Sequence, residues 1–304
     1  MGGEDLQQPT KAYAKNRAHW RDYLRLCKPK VVLLLLITAL VGMLLTSPGI
    51  NDVALMAIAI IGIGLVASAA AVVNHLVDVN IDSKMTRTRS RPLVSGRLSS
   101  VQAITFSFLM AISGLWLLTI YVNPLTAILT LAGLFGYAFV YTIYLKHKTP
   151  QNIVWGGLAG ALPPLLGWTS MTNSIASEGV LLMLIIFVWT PAHFWPLAID
   201  RIEDYKKAKV PMLPVTHGIE YTKNSIIVYT LLLNLVSWLP YLSGMNGVSY
   251  LVAAIVLGGW FLYYALLLKF RPQKKTAITT FYVSIIYLFL LFIALVVDHS
   301  LLQF

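Results

Sequence analysis

Nine apolar runs, each about as long as a bilayer core is thick, follow one another along this chain. Their limits are 31–47, 53–76, 101–121, 125–145, 153–171, 180–199, 225–244, 248–268 and 278–298. A single run of that kind can hide in a large soluble core; a series of them needs lipid as solvent, because only there do the apolar side chains find no water to avoid. Charged residues make up 12% of the 304 positions, against about 25% in ordinary soluble domains, so too little polar surface exists to wrap these runs in water. The chain reads as all-α, a polytopic membrane bundle of about nine transmembrane helices. Residues 1–30 form a cytoplasmic N-terminal segment, and 31–304 a single transmembrane domain.

The basic residues test that division independently. Every one of the 23 Lys and Arg residues lies before the first run or after the second, fourth, sixth and eighth; the alternate loops carry none. A missed or invented span would break the alternation downstream. Count and positive-inside orientation therefore support each other, with the N-terminus cytoplasmic and the C-terminus outside a cell inner membrane. The net charge of +11 follows from topology and from anionic lipids or substrates, and calls for no nucleic acid. The single Cys27 excludes an intrachain disulfide framework and a multi-cysteine zinc site. The polar, partly acidic start, with Glu4 and Asp5, resembles neither a cleaved signal nor a transit peptide.

Chemistry concentrates at two places. The second run ends in Asn74, Asp78 and Asp82, spaced so that a helix sets three oxygen-bearing side chains on one face, drifting about 40° per step. Carboxylates at a membrane helix end are costly without partners and are functional candidates for that reason. An oxygen-only set suits Mg²⁺, and Lys84, Arg87, Arg89 and Arg91 just downstream suit a polyanion such as diphosphate. The competing structural reading pairs these acids with those bases at the membrane surface. The sixth run ends in Asp200 and Asp204, which repeat the spacing, and Lys206, Lys207 and Lys209 repeat the basic follow-on. Two such motifs four spans apart suggest two parallel four-helix halves around a central cavity, plus one extra span. Opposed acids with adjacent cations are what metal-assisted cleavage of a diphosphate requires, and an apolar cavity would keep water from a carbocation.

At these residues the sequence resembles the UbiA-type intramembrane prenyltransferase superfamily. Asn74/Asp78/Asp82 matches its NxxxDxxxD motif, Asp200/Asp204 its DxxxD motif, and Tyr144 through Lys148 its YxxxK element. Within the superfamily, further stretches are similar to the branch that farnesylates heme B. They are Asp82–Thr88, Tyr141–Ile153, Gly160–Trp168, Pro191–Trp195 and Asp204–Val215, together most of residues 70–220. The second motif of that branch centres on the pair matched by Asp204-Tyr205, and Ala192 separates Pro191 from His193 where some members join proline and histidine directly.

The resemblance implies farnesyl diphosphate and heme B as substrates, Mg²⁺ as cofactor, and room for a downstream heme-modifying or oxidase-assembly partner. It implies Asn74, Asp78, Asp82, Asp200 and Asp204 as metal ligands. Asp78, Asp82, Asp204, Lys148 and His193 would be catalytic; Lys84, Arg87, Arg91, Tyr144, Lys146, Asp200 and Tyr205 would bind substrate. His193 would contact heme iron or a propionate, assist a proton transfer, or simply hold helices together. His75 flanks the metal face, whereas His19, His217 and His299 lie in polar or terminal segments. Rival readings are a sister prenyltransferase with an aromatic, quinone-precursor or chlorin acceptor, a CDP-alcohol phosphotransferase, whose DG-and-AR pattern is absent, and an ion-coupled transporter.

Overall fold

The computed structural model describes residues 18–46, 52–271, 273 and 275–302; Lys11, Lys15, Arg17 and Lys274 lie outside the described residues. Among those described, all regular structure is helical. The first helices are α1 (Trp20–Leu26), α2 (Pro29–Leu44), α3 (Val53–Val77), α4 (Val79–Asp82) and α5 (Ser100–Leu117). α6 (Pro124–Phe135), α7 (Lys146–Lys148), α8 (Asn152–Ala161), α9 (Pro163–Thr172) and α10 (Ser177–Asp200) follow. The last are α11 (Ile202–Lys207), α12 (Leu213–Thr216), α13 (Gly218–Leu242), α14 (Val248–Phe270) and α15 (Thr276–Leu302). α5 and α6 run on as wider π-helical turns over Leu118–Val122 and Gly136–Leu145.

The starts of these helices follow from their capping residues. Asp52 accepts from the backbone N–H groups of Ala54 and Leu55 to open α3. Ser99 and Gln102 form a reciprocal capping box before α5. Asn123 caps α6, whose first residue is Pro124, a position where the missing N–H costs nothing.

Among the described residues, seven helices are long and apolar enough to cross a membrane, and α1 with α2, bent by 53° at Lys28, would make an eighth. The fifth candidate run is two helices of ten residues each, broken at Leu162 where Pro163 and Pro164 open α9. Length and composition therefore account for seven or eight spans rather than nine, and the kinked helix read from the glycines and prolines is a full break.

α3 is central: 61% of its apolar stretch is buried, against 22% and 17% for the spans that begin at Ser100 and Pro124. Those outer helices present Phe108, Ile112, Trp116, Ile128 and Phe135 outward. Such an apolar exterior is stable only in lipid. The chain is a multi-pass membrane protein.

At the end of the bundle away from the acidic motifs, buried Asp298 of α15 ties down the start of α14. Its carboxylate accepts from the backbone N–H of Gly247 (2.6 Å) and Tyr250 (3.0 Å) and from Asn246 Nδ2 (3.1 Å). Asp298→Ala leaves these donors unmade inside the protein. A loss of roughly 2–4 kcal/mol is expected, read as a lower thermal unfolding midpoint in detergent.

Candidate active site

Asp78 ends α3 and begins α4. The short break keeps Asn74, Asp78 and Asp82 together, and all three are buried. Cations hold each of them. Lys146 Nζ donates to Asp78 Oδ2 at 2.6 Å, and Asn74 Nδ2 donates to the same oxygen at 2.9 Å. Lys28 Nζ donates to Asn74 Oδ1, and Arg91 Nη1 to Asp82 Oδ2, each at 2.5 Å. The remaining Asp78 oxygen, Oδ1, is buried without a hydrogen-bond partner. Beside this face, buried His75 likewise leaves both ring nitrogens unpartnered.

The sequence reading counted Lys28 only as a topological charge. It occupies a left-handed backbone position (φ 50°) immediately before Pro29, a conformation that a non-glycine residue adopts at a cost of about 1 kcal/mol. That kink swings its ammonium from the helix entrance onto Asn74. Burial, and then the nearby Arg91 charge, push the ammonium down to about 8.

Of the other predicted cations, Arg87 lies within electrostatic reach of Tyr205, while Lys84 and Arg89 are exposed. The YxxxK element divides. Lys146 turns inward to Asp78; Lys148 is exposed and lies over the Tyr144 ring, 4.3 Å from its centroid. Lys148 and Tyr144 are thus not brought to the acids. Lys146→Ala is expected to cut turnover of a diphosphate substrate by about 10²-fold, and Lys148→Ala by less than a factor of about three, in membrane assays with a labelled substrate.

The second motif also divides. Asp200 pairs with its neighbour Arg201 at 3.1 Å and does not join the first cluster. Asp204 is half-buried and makes no ion pair among the described residues. Tyr205 is buried in a cluster with Met85, Trp195 and Ala198, so the loop after the first motif meets the second. Burial pushes the Tyr205 hydroxyl up, which keeps it a neutral donor, with Arg87 opposing. Tyr141 lies within electrostatic reach of both Asp78 and Tyr205, and so links the two motifs.

Two apolar cavities lie nearby, the smaller touching the cluster at Lys28 and the two sharing Tyr137. One, of about 160 Å³, has Lys28 and Tyr137 among its walls and continues past Ala67, Ala70 and Leu166. The other, of about 520 Å³, is walled by α2, α8, α10, α15 and the π-helical turns, with Tyr137, Tyr141 and His193 facing it. Tyr137 and Tyr141 were missed as site residues. An aromatic pair four apart in an aromatic-rich span carries no signal of its own, and the π winding after α6 turns both inward.

The donor set suits Mg²⁺. A hard divalent ion takes one or two carboxylates and completes its shell with substrate phosphate. Asp78 Oδ1 is an orphaned anionic oxygen, and Asp82 stands one turn on. No group of three acidic, histidine or cysteine ligands gathers among the described residues, so the four aspartates read as metal ligands do not come together as one cluster in this structure.

An apolar helical bundle that buries paired acids and cations at one end, with apolar cavities among its helices, matches a known class. The UbiA prenyltransferase family model matches residues 35–296, and the chain belongs to that family. It is 56% identical over 285 residues to protoheme IX farnesyltransferase 2 of Pseudoalteromonas atlantica, covering 94% of this chain and 93% of that one. It is 57% identical over 282 residues to protoheme IX farnesyltransferase of Idiomarina loihiensis, covering 93% and 95%. Among solved structures, a digeranylgeranylglyceryl phosphate synthase shares the fold with TM-score 0.77 at 24% identity, covering 92% of this chain and 98% of that one. A UbiA homolog from Archaeoglobus fulgidus, bound to GPP and Mg²⁺, shares it with TM-score 0.65 at 17% identity, covering 90% and 99%.

Proposed function

We propose that this chain transfers the farnesyl group of farnesyl diphosphate to a vinyl group of heme B, with release of diphosphate, and so makes heme O. The observation that carries the reading is the buried acid–cation cluster at Asp78 and Asp82, in a chain 56% identical to a protoheme IX farnesyltransferase; Tyr141, within electrostatic reach of Asp78, also lines the 520 Å³ apolar cavity. Asn74, Asp78, Asp82 and Asp204 would hold Mg²⁺, which when bound neutralises charge on the diphosphate. Lys28 rests on the Asn74 amide oxygen, Lys146 on Asp78 and Arg91 on Asp82 in this structure. Diphosphate would draw these cations from those side chains onto its own oxygens, stabilising charge as the C–O bond breaks. Arg87 and Tyr205 would take its outer face, with Lys84 and Asp200 at the entrance.

The faces of Tyr137 and Tyr141 shield the allylic carbon, and the apolar walls withhold water until the acceptor has reacted. The vinyl terminal carbon bonds to farnesyl C1. Water then adds to the resulting porphyrin-side cation and loses a proton, leaving a hydroxyethylfarnesyl group. The positive-inside charge pattern supports a cytoplasmic-side site in an inner membrane, where a heme-modifying or oxidase-assembly protein would take the product.

Mass spectrometry of hemes from cells expressing the protein tests the reading. A species heavier than heme B by one farnesyl group and one water is expected. Membranes given labelled farnesyl diphosphate with both heme B and 4-hydroxybenzoate should label heme alone; label only in the benzoate would overturn the proposal in favour of a sister enzyme.

A further inference from the structure

His193 is the one titratable side chain of the larger cavity that the diphosphate chemistry leaves without a role. We infer that its Nε2 atom is the axial ligand of the porphyrin iron, an inference that rests on heme being the acceptor.

The tautomer follows from its surroundings. Nδ1 lies 2.7 Å from Ser284 Oγ on α15. That hydroxyl has a single hydrogen, and it donates it to the carbonyl of Phe281 at 2.6 Å, back along its own helix. Ser284 Oγ must therefore accept from the imidazole, so Nδ1 carries the proton and Nε2 keeps a bare lone pair. No described residue bonds to Nε2. The cavity's two threonines offer it nothing, since Thr38 and Thr190 donate their hydroxyl hydrogens to Leu35 and Ile186 of their own helices. A histidine retained only to join helices would not leave a neutral nitrogen facing an apolar hollow. A ligand atom whose second nitrogen is hydrogen-bonded to fix its orientation has that arrangement.

The ring is also held rigid. Trp189 stacks on one face at 4.0 Å and 14°, and Phe281 on the other at 4.5 Å and 27°. Trp189 is in turn fixed by its Nε1 donating to Ser284 O at 2.8 Å. Both faces and one nitrogen are occupied, so only the Nε2 edge is left for the cavity. An iron bound there must lie in the imidazole plane, with the macrocycle perpendicular to it. Gly160, whose Cβ position meets nothing within 4 Å, leaves open wall for a flat ring, and the Tyr141 ring, packed over Gly156, faces the same hollow. Iron ligation would then fix which edge of the porphyrin meets the farnesyl carbon.

The test is ferrous heme b binding to the purified protein in detergent, followed by its optical spectrum and by the iron–histidine stretch in resonance Raman. The wild type should give a histidine-ligated spectrum. His193→Gly should lose it and bind at least about tenfold more weakly, and added imidazole should restore the spectrum. Ser284→Ala keeps the ring but removes the acceptor of its proton, and should lower the iron–histidine frequency. Heme bound with an unchanged spectrum and affinity in His193→Gly, or an unshifted frequency in Ser284→Ala, overturns the assignment while leaving heme as the acceptor. A wild type that binds no heme overturns the functional reading as well.

Discussion

Asparagine in place of Asp78 is expected to lower farnesyl transfer by about three orders of magnitude while leaving the protein folded in the membrane. The substitution preserves size and one acceptor oxygen, so helix α3 and its C-terminal turn persist. What goes is a negative charge that meets Lys146 at 2.6 Å and Asn74 at 2.9 Å, together with the orphaned oxygen best suited to a divalent ion. Lys146 then lacks its counterion, and the diphosphate lacks a metal bridge. Asp200→Asn is the matched control. Its carboxylate is already paired with Arg201 outside the first cluster, so a change of only a few-fold is expected. Labelled farnesyl transfer in membranes, normalised to inserted protein, reads both. Near-normal turnover in Asp78→Asn would remove the acid cluster from the reaction.

The bundle and the first motif were legible because both rest on local rules. Apolar length gives spans, and a spacing of four places Asn74, Asp78 and Asp82 on one face. Neither rule resolves what backbone irregularity does. Lys146 and Lys148 look equivalent in sequence, but the preceding ten residues wind as a π-helix, and the altered phase sends Lys146 to Asp78 and Lys148 outward over Tyr144. Lys28 joins the site only through a left-handed kink before Pro29. A lysine–proline pair at the entrance of the first span was visible, although its consequence for the backbone was not. The second motif looked like a copy of the first, yet Arg201, directly after Asp200, captures that carboxylate. His193 showed its unusual membrane depth, whereas its tautomer depends on Ser284, 91 positions later, which no local pattern reaches.

Gly167→Ala tests how the cavities are walled. α2 and α9 cross with their backbones nearly in contact. A Cβ on Gly167 would stand 1.9 Å from the carbonyl oxygen of Ala39, and one on Gly42 would stand 2.0 Å from that of Pro164. In lipid the apolar effect does not drive helices together, so close backbone approach across small residues is itself a main source of packing energy. One methyl group on α9 meets backbone rather than a movable side chain, and the helices must separate. A loss of more than about 3 kcal/mol is expected, seen as a lower thermal midpoint in detergent. α2 also supplies Val31 and Leu35 to both cavities, so transfer should fall further than the folded fraction alone explains. Gly160→Ala serves as the counterpart, because a Cβ there meets nothing within 4 Å; helix propensity then favours the variant by up to about 1 kcal/mol. If Gly167→Ala proved as stable as the parent, the close crossing of α2 and α9 would not be what holds the cavity walls in place.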